Sequence, residues 1–211
     1  MALGTDPASR RQSELEHELD QAVFDLYNLT VAERELVREM CAVGLDLFYG
    51  KQNSDALREV IRPETSIGTL ADVDQTDNGL SAYLHVFLKA WNAELGPDAE
   101  FVWRVLSPPS RAPLMAVSFT THFRNTPVPK ERPDAARLWH DLLVKLDRLS
   151  WTPGIAARIF IDCFFRYVSE SEMLFIKRNE RRFWTRSAAR EDAESALTHL
   201  MNSSESSQVA S

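Results

Sequence analysis

The spacing of apolar residues changes along this chain, and the change restricts the folds that it can adopt. In the segments 13–49 and 79–95, apolar residues recur every three or four positions, which is the spacing of amphipathic helices. From Glu100 to Leu106 and from Leu114 to Thr121 they alternate with polar residues, as in strands. The order of elements predicts an α+β fold, in which an N-terminal helical hairpin and amphipathic helices pack on a small, mainly antiparallel sheet. A β-hairpin and a helix are predicted at the C-terminal end.

The N-terminal hairpin consists of a predicted helix from about Ser13 to Tyr27 and a second one from Thr30 to about Tyr49. Asn28 marks the break, because it tolerates a left-handed backbone. Thr30 and Glu33 have the spacing of a capping box, which satisfies the first free amides of a helix. We expect each helix to bury one apolar face. The residues expected to face inward are Leu15, Leu19, Ala22, Val23 and Leu26, followed by Leu36, Met40, Val43, Leu47 and Phe48.

Two further amphipathic helices are predicted in the middle of the chain, from Gly79 to Leu95 and from about Asp134 to Leu149. Gly96 followed by Pro97 is a clear stop signal for the first of them. Its expected core face contains Leu80, Tyr83, Leu84, Phe87, Leu88 and Trp91. The expected core stripe of the second contains Leu138, Leu142, Leu146 and Leu149.

The C-terminal third predicts a long strand from Ile155 to Val168 and a returning partner from Met173 to Arg178. A short extended piece is expected from Arg182 to Thr185. Ser187 is the predicted N-cap of a last helix, which reaches about Met201.

The 211 residues fit one domain, and a hydrophobic content of 44% is enough for a real core. We predict a single α+β domain over residues 13–202, with residues 13–61 as its helical hairpin subregion. Residues 1–12 and 203–211 have the composition of flexible tails.

The expected location is the cytoplasm. No apolar run approaches the roughly 20 residues that cross a bilayer, and the N-terminal sequence has no signal-peptide core. The two cysteines, Cys41 and Cys163, lie in apolar patterns outside any metal-binding spacing, so they are predicted to be reduced, buried thiols.

The sequence contains no recognisable catalytic, cofactor or metal-binding motif. Ser107-Pro108-Pro109-Ser110 is similar to the Pro-Pro motif of amino methyltransferases, but it lacks the aromatic residue that stacks on a flipped base. None of the five histidines has the HxxxH or HExxH spacing of a zinc site. The best alternative is an enzyme of unrecognised type with a pocket around His122, Arg124 and His140.

The most distinctive segment runs from Lys177 to Arg190, with six basic residues and one acid in a chain of net charge −7. The overall negative charge argues against simple DNA coating, but a local basic patch can still bind phosphate. Free amides at the Ser187 helix start, beside these arginines, would favour an anion. The candidate partner- or nucleic-acid-binding residues are Lys177, Arg178, Arg181, Arg182, Trp184, Arg186 and Arg190. The alternative is a charged hairpin edge whose aromatic residues, Phe183 and Trp184, lie in the core.

Two segments resemble known sequences. Leu15 to Glu33 (LEHELDQAVFDLYNLTVAE) resembles the LD-x-x-V-x-x-LYGLT-x-x-E segment in C-terminal parts of adenine-specific class I S-adenosylmethionine-dependent DNA methyltransferases, with Asn28 in place of Gly. Leu174 to Leu197 is similar to the IIKP-x-x-RRFWTRS-A-x-x-DA ending of small proteins from bacterial restriction-modification or phage-defence loci, with Arg178 in place of Pro. The chain lacks a methyltransferase core, so the resemblance implies an accessory or target-recognition role without methyl transfer.

The sequence therefore favours a non-catalytic accessory subunit of a bacterial DNA-modification or phage-defence system. It would bind a larger protein and, through the basic edge, DNA. No cofactor is expected. Besides the enzyme described above, the remaining alternative is a structural homo-oligomer that associates through its apolar helix faces.

Overall fold

The computed structural model describes residues 7–75, 79–108, 113–128, 135–149, 159, 164–169 and 171–209. The helices are α1 (Pro7–Leu26), α2 (Val31–Glu39), α3 (Asp46–Gly50), α4 (Leu80–Asn92), α5 (Ala135–Leu149) and α6 (Arg186–Val209). The strands are β1 (Ile67–Gly68), β2 (Ala99–Leu106), β3 (Leu114–Phe123), β4 (Phe164–Val168) and β5 (Glu172–Arg178). A π-helical segment, Met40–Leu45, joins α2 to α3.

The five strands form one sheet in the order β1-β2-β3-β5-β4, with every neighbouring pair antiparallel. The register places Val117 of β3 opposite Val105 of β2 and Phe175 of β5. Helices accompany this antiparallel sheet, so the predicted α+β class is confirmed.

The alternating side chains of the sheet build a separate core on each face. Met115, Val117 and Phe119 of β3 belong to the core that also contains α4 and the first half of α6. Leu114 and Ala116 belong to the other core, which contains α5. Since successive strand residues point to opposite faces, the sheet lies between a layer of α4 and α6 and a layer of α5.

The α4 core contains the largest aromatic cluster. Phe87 stacks on Phe119 with ring centroids 4.1 Å apart and meets the edge of Phe175 at 5.2 Å. All six residues expected on the core face of α4 are buried. Burying each large apolar side chain stabilises the fold by roughly 1.5–3 kcal/mol, so this helix anchors the sheet.

The local signals of the N-terminal hairpin are confirmed. Asn28 has φ of 51°, as its left-handed position requires. The Thr30 amide donates to the Glu33 carboxylate at 2.7 Å, and the Glu33 amide donates to the Thr30 hydroxyl at 3.3 Å. However, α1 starts at Pro7, earlier than predicted, so residues 7–12 belong to a helix rather than to a tail.

Several C-terminal boundaries differ from the predictions. Ile159 is helical, so the strand predicted from Ile155 is wrong there, and residues 155–158 and 160–163 lie outside the described residues. A 3-10 turn, Arg181–Phe183, replaces the first half of the predicted extended piece. The last helix starts at Arg186 and continues to Val209, into the predicted tail. Within the described part of the chain, no helix is both long and apolar enough to span a bilayer.

Candidate functional site

The basic segment, residues 177–190, connects the end of β5 to the start of α6. Trp184 is only 1% exposed, its Nε1 donates to the Arg178 carbonyl at 2.8 Å, and its ring meets Tyr83 edge-on at 5.0 Å. The structure therefore places Trp184 inside the core, where it anchors the turn. This corrects the expectation that Trp184 lies on a surface open to a partner.

Lys177 also lies inside the core, because it occupies the same face of β5 as Met173 and Phe175. Its ammonium pairs with the buried carboxylate of Asp192 on α6, and the Tyr83 hydroxyl donates to that carboxylate at 2.7 Å. Burial lowers the pKa of Lys177, while Asp192 opposes this shift. Burial and the neighbouring Asp192 charge raise the pKa of Tyr83 well above its usual value. Lys177 is thus a structural cation and is not available to a partner in this conformation.

Four of the predicted contact arginines have carboxylate partners within the protein. Arg178 and Arg182 both pair with Glu180, at 3.1 and 2.8 Å. Arg186 and Arg190 both pair with Glu35 of α2, the former at 3.4 Å. These four side chains remain partly exposed, and the two glutamates balance half of their positive charge.

The start of α6 is occupied by a carboxylate from α2. Glu39 accepts hydrogen bonds from the amides of Arg186 (2.8 Å) and Ser187 (3.0 Å), and from the Ser187 hydroxyl. The N-cap hydroxyl belongs to Thr185, which accepts from the Ala188 amide at 3.2 Å. The prediction of Ser187 as N-cap is therefore wrong, and the predicted anion site binds the protein's own Glu39.

Arg181 differs from the other arginines of the basic segment. It lines a groove of about 320 Å³ together with Arg38 of α2 and with two carboxylates of the same helix, Glu35 and Glu39. Among the described residues, neither Arg38 nor Arg181 forms an ion pair. Hydrogen bonds from Ser54 and Ala56 lower the pKa of Asp46, and the charge of Arg181 adds to this shift. Arg38 and Arg181 are therefore the candidate contacts of this groove for an external anion, whose entry the two carboxylates oppose.

The residues of the alternative catalytic pocket lie at three places in the fold: His122 in β3, Arg124 directly after β3, and His140 in α5. The His122 ring nitrogen Nε2 lies 2.7 Å from the Thr126 carbonyl, and Arg124 Nε donates to the Ala99 carbonyl at 3.3 Å. His140 is exposed on α5. Within the described ranges, no group of three or more His, Cys, Asp or Glu side chains could hold a metal ion.

The N-terminal hairpin provides a surface that sequence reasoning expected to be buried. Leu15, Leu19 and Leu26 of α1 are 58%, 65% and 80% exposed. Phe24 is the only buried residue among the α1 side chains whose burial is described. The residues Leu15, Leu19, Ala22, Val23 and Leu26, which we term the α1 stripe, are all exposed, so the expectation of a buried face is wrong.

The opposite side of α1 contacts α2, mainly through polar and cation–π interactions. Arg34 pairs with Asp25 at 2.8 Å and donates to the Leu29 carbonyl at the same distance. The guanidinium groups of Arg34 and Arg38 lie 5.9 and 5.1 Å from the Phe24 ring centroid. These contacts explain why the apolar stripe points away from the rest of the protein.

The second helix of the hairpin is also poorly buried. None of the residues of α2, the π-helical segment or α3 is buried, and Met40 and Phe48 are 62% and 72% exposed. Leu36 is likewise exposed, whereas Val43 and Leu47 are half-buried. The expectation that these five residues face inward is therefore wrong for Leu36, Met40 and Phe48.

Comparisons with protein-family models, curated proteins and solved structures found no match to this chain.

Proposed function

We propose that this protein is a non-catalytic accessory subunit that binds a larger protein through the α1 stripe. The supporting observation is a helix of 20 residues whose apolar stripe is exposed, while its opposite side contacts α2. A contiguous apolar patch that is exposed on a monomer often marks an interaction site, whereas single exposed apolar residues are common and carry no such meaning. A helix in a protein gains most of its stability from packing of its apolar face, so a partner would also stabilise α1.

A binding role accounts for the ionisable groups better than a catalytic one does. Strongly perturbed pKa values are a signature of catalytic residues, but such shifts also arise in structural ion-pair networks. Here Tyr83 and Lys177 both direct their polar atoms to Asp192 inside the core. Their shifts have a structural cause, which supports a non-enzymatic protein.

The basic segment is the second proposed contact surface. In this proposal Arg181, together with Arg38 across the groove, contacts phosphate of DNA or an acidic segment of the partner. The partly exposed Arg178, Arg182, Arg186 and Arg190 extend this edge. Because their charges are shared with Glu180 and Glu35, we propose an auxiliary contact rather than the main source of affinity.

The proposed cellular context is a bacterial DNA-modification or phage-defence system in the cytoplasm. It rests on the resemblance of Leu15 to Glu33 and of Leu174 to Leu197 to segments from such proteins. The first of these segments contains the whole α1 stripe. The proposed partner is accordingly a larger methyltransferase, nuclease or ATPase component of the same system.

The proposal is tested by purifying tagged protein from its native host and quantifying the co-purified proteins by mass spectrometry. We expect the double variant Leu15→Ser/Leu19→Ser to lose the main partner and Arg181→Glu to reduce its recovery only partly. Lys89→Ser, an exposed change on α4, is the matched control. A partner retained in full by the stripe variant, with circular dichroism unchanged, would contradict the proposal.

A further inference from the structure

We infer that the α1 stripe binds an amphipathic helix whose apolar face is flanked by Lys and Arg. This inference rests on the proposed function and specifies the chemistry of the partner. It commits to a partner helix rather than to a second copy of this chain or to a lipid surface.

The geometry of α1 leaves the stripe open along its length. At about 3.6 residues per turn, Phe24 lies on the opposite side of the helix from Leu15, Leu19 and Leu26. Since Phe24 contacts Arg34 and Arg38 of α2, the stripe points away from that helix. A partner can therefore approach the stripe without displacing the described contacts between α1 and α2.

The spacing of the stripe fits another helix. Leu15, Leu19, Ala22 and Leu26 follow the 4-3-4 spacing by which one helix packs along another. At about 1.5 Å per residue they extend over roughly 17 Å, which matches about three turns of a partner helix. Leu15 and Leu19 also line a shallow, open depression together with Arg11, Gln12 and Glu16, and a side chain of that helix can pack against it.

Acidic residues border the stripe on both sides. Glu16 and Glu18 lie within about a quarter turn of its centre, one on each flank. Within the described residues, Glu14, Glu16, Glu18 and Asp20 form no ion pair. Their charge is thus available to an incoming cationic side chain.

The negative charge of the whole hairpin favours a basic helix over a second copy or a membrane as the partner of the α1 stripe. Residues 7–50 contain nine acidic and four basic side chains, a formal net charge of −5. A second copy would bring the same negative charge against it, and an anionic membrane would repel it as well. A helix with basic flanks places opposite charges beside the buried apolar seam, which favours both encounter and register.

The test uses two synthetic helical peptides that share one leucine face but carry either Lys or Glu at the flanking positions. Binding of the fluorescently labelled peptides to the full chain is measured by anisotropy near physiological salt. We expect the Lys peptide to bind at least about fivefold more tightly than the Glu peptide, because exposed ion pairs contribute modestly. A Lys peptide of scrambled order, without the apolar face, should bind at least about tenfold more weakly than its parent.

Protein variants separate the apolar and the charge contributions. Leu15→Ser/Leu19→Ser should reduce binding of the Lys peptide by more than about tenfold. Glu16→Gln/Glu18→Gln should remove the preference for Lys over Glu peptide while some binding to both remains. The exposed pair Asp141→Asn/Asp147→Asn on α5 serves as the charge control and should change nothing.

The possible failures are distinguishable. Equal binding of both ordered peptides would overturn the charge inference and leave the apolar docking proposal intact. Equal binding of the scrambled peptide would overturn both, because attraction would then be non-specific. A dimer in light scattering that Leu15→Ser/Leu19→Ser converts to a monomer would identify a second copy as occupant and overturn the inference. Binding of neither peptide to a monomeric protein would likewise overturn it.

Discussion

Glu39 of α2 caps the helix α6 through Ser187, which lies 148 positions later in the chain. The Glu39 carboxylate accepts hydrogen bonds from the amides of Arg186 and Ser187 and from the Ser187 hydroxyl. The neighbouring Glu35 pairs with Arg186 and Arg190 on the first turns of the same helix. Since α2 has no buried residue, these polar contacts are a main connection between the N-terminal hairpin and the sheet domain. The hairpin is therefore held by charge and hydrogen bonding more than by apolar packing.

Replacing Glu39 with Ala should loosen the hairpin without unfolding the sheet. Loss of a cap and of its favourable helix-dipole interaction costs about 1–2 kcal/mol, which is comparable with the local stability of such an arm. We expect faster amide hydrogen exchange in α2 and at the start of α6, with exchange in β3 unchanged. Glu39→Gln, which keeps an acceptor oxygen, should have a smaller effect. If amide exchange in α2 and at the start of α6 were equally fast in Glu39→Ala and in the wild type, this role of Glu39 would be contradicted.

The buried group formed by Lys177, Asp192 and Tyr83 should respond more strongly to single than to combined substitutions. Lys177→Met leaves Asp192 charged and buried, and Asp192→Leu leaves the ammonium alone, so each should cost about 3–5 kcal/mol of unfolding free energy. The triple variant Tyr83→Phe/Lys177→Met/Asp192→Leu removes every partner together. Its stability should lie within about 1–2 kcal/mol of the wild type. Guanidinium denaturation of the wild type and the three variants measures this, and a loss in the triple variant as large as the sum of the two single losses would exclude coupling between Lys177 and Asp192.

The face of β5 on which Lys177 lies could be predicted from the sequence, but its ion-pair partner could not. Alternation from Met173 through Phe175 places Lys177 on the same face as these core residues. The basic composition of residues 177–190 predicts a surface position for Lys177 instead. Alternation could not predict that Asp192 pairs with Lys177. Asp192 belongs to α6, and pairing between separate elements depends on tertiary structure.

The other sequence predictions show the same difference between local interactions and contacts between separate elements. The Thr30–Glu33 capping box and the left-handed Asn28 are local interactions, and both were predictable. The core face of α4 was predictable from periodicity because α4 packs on the sheet. The stripe of α1 has the same periodicity but no partner within the described residues, and periodicity indicates an apolar face without indicating what covers it.

The stability of the folded protein should depend on pH through His85 of α4. Burial, followed by the positive charges of Lys89 and Arg186, lowers the pKa of His85 from 6.5. Its Nδ1 is buried without a hydrogen-bond partner among the described residues. The unfolded chain therefore takes up a proton at a higher pH than the folded protein does, so stability falls as the pH decreases from about 6.5 through the lower folded value.

His85→Gln should remove this component of the acid sensitivity. The difference in unfolding free energy between pH 7.5 and pH 5.5 is expected to be smaller in the variant than in the wild type. An NMR titration of the ring protons gives the pKa of His85 directly. A value above 6.5 would reverse the sign of the predicted effect.

The same substitution on two helices provides the sharpest test of the exposed stripe. Leu19 of α1 is 65% exposed and Leu84 of α4 is fully buried, although both occupy an apolar face of an amphipathic helix. Leu84→Ala removes a core side chain and should cost about 2–5 kcal/mol, whereas Leu19→Ala should change stability by no more than about 0.5 kcal/mol. The two values are measured by denaturant unfolding of the purified protein. A cost at Leu19 close to that at Leu84 would mean that the stripe is already covered in the free protein, and its concentration dependence would reveal whether another copy covers it.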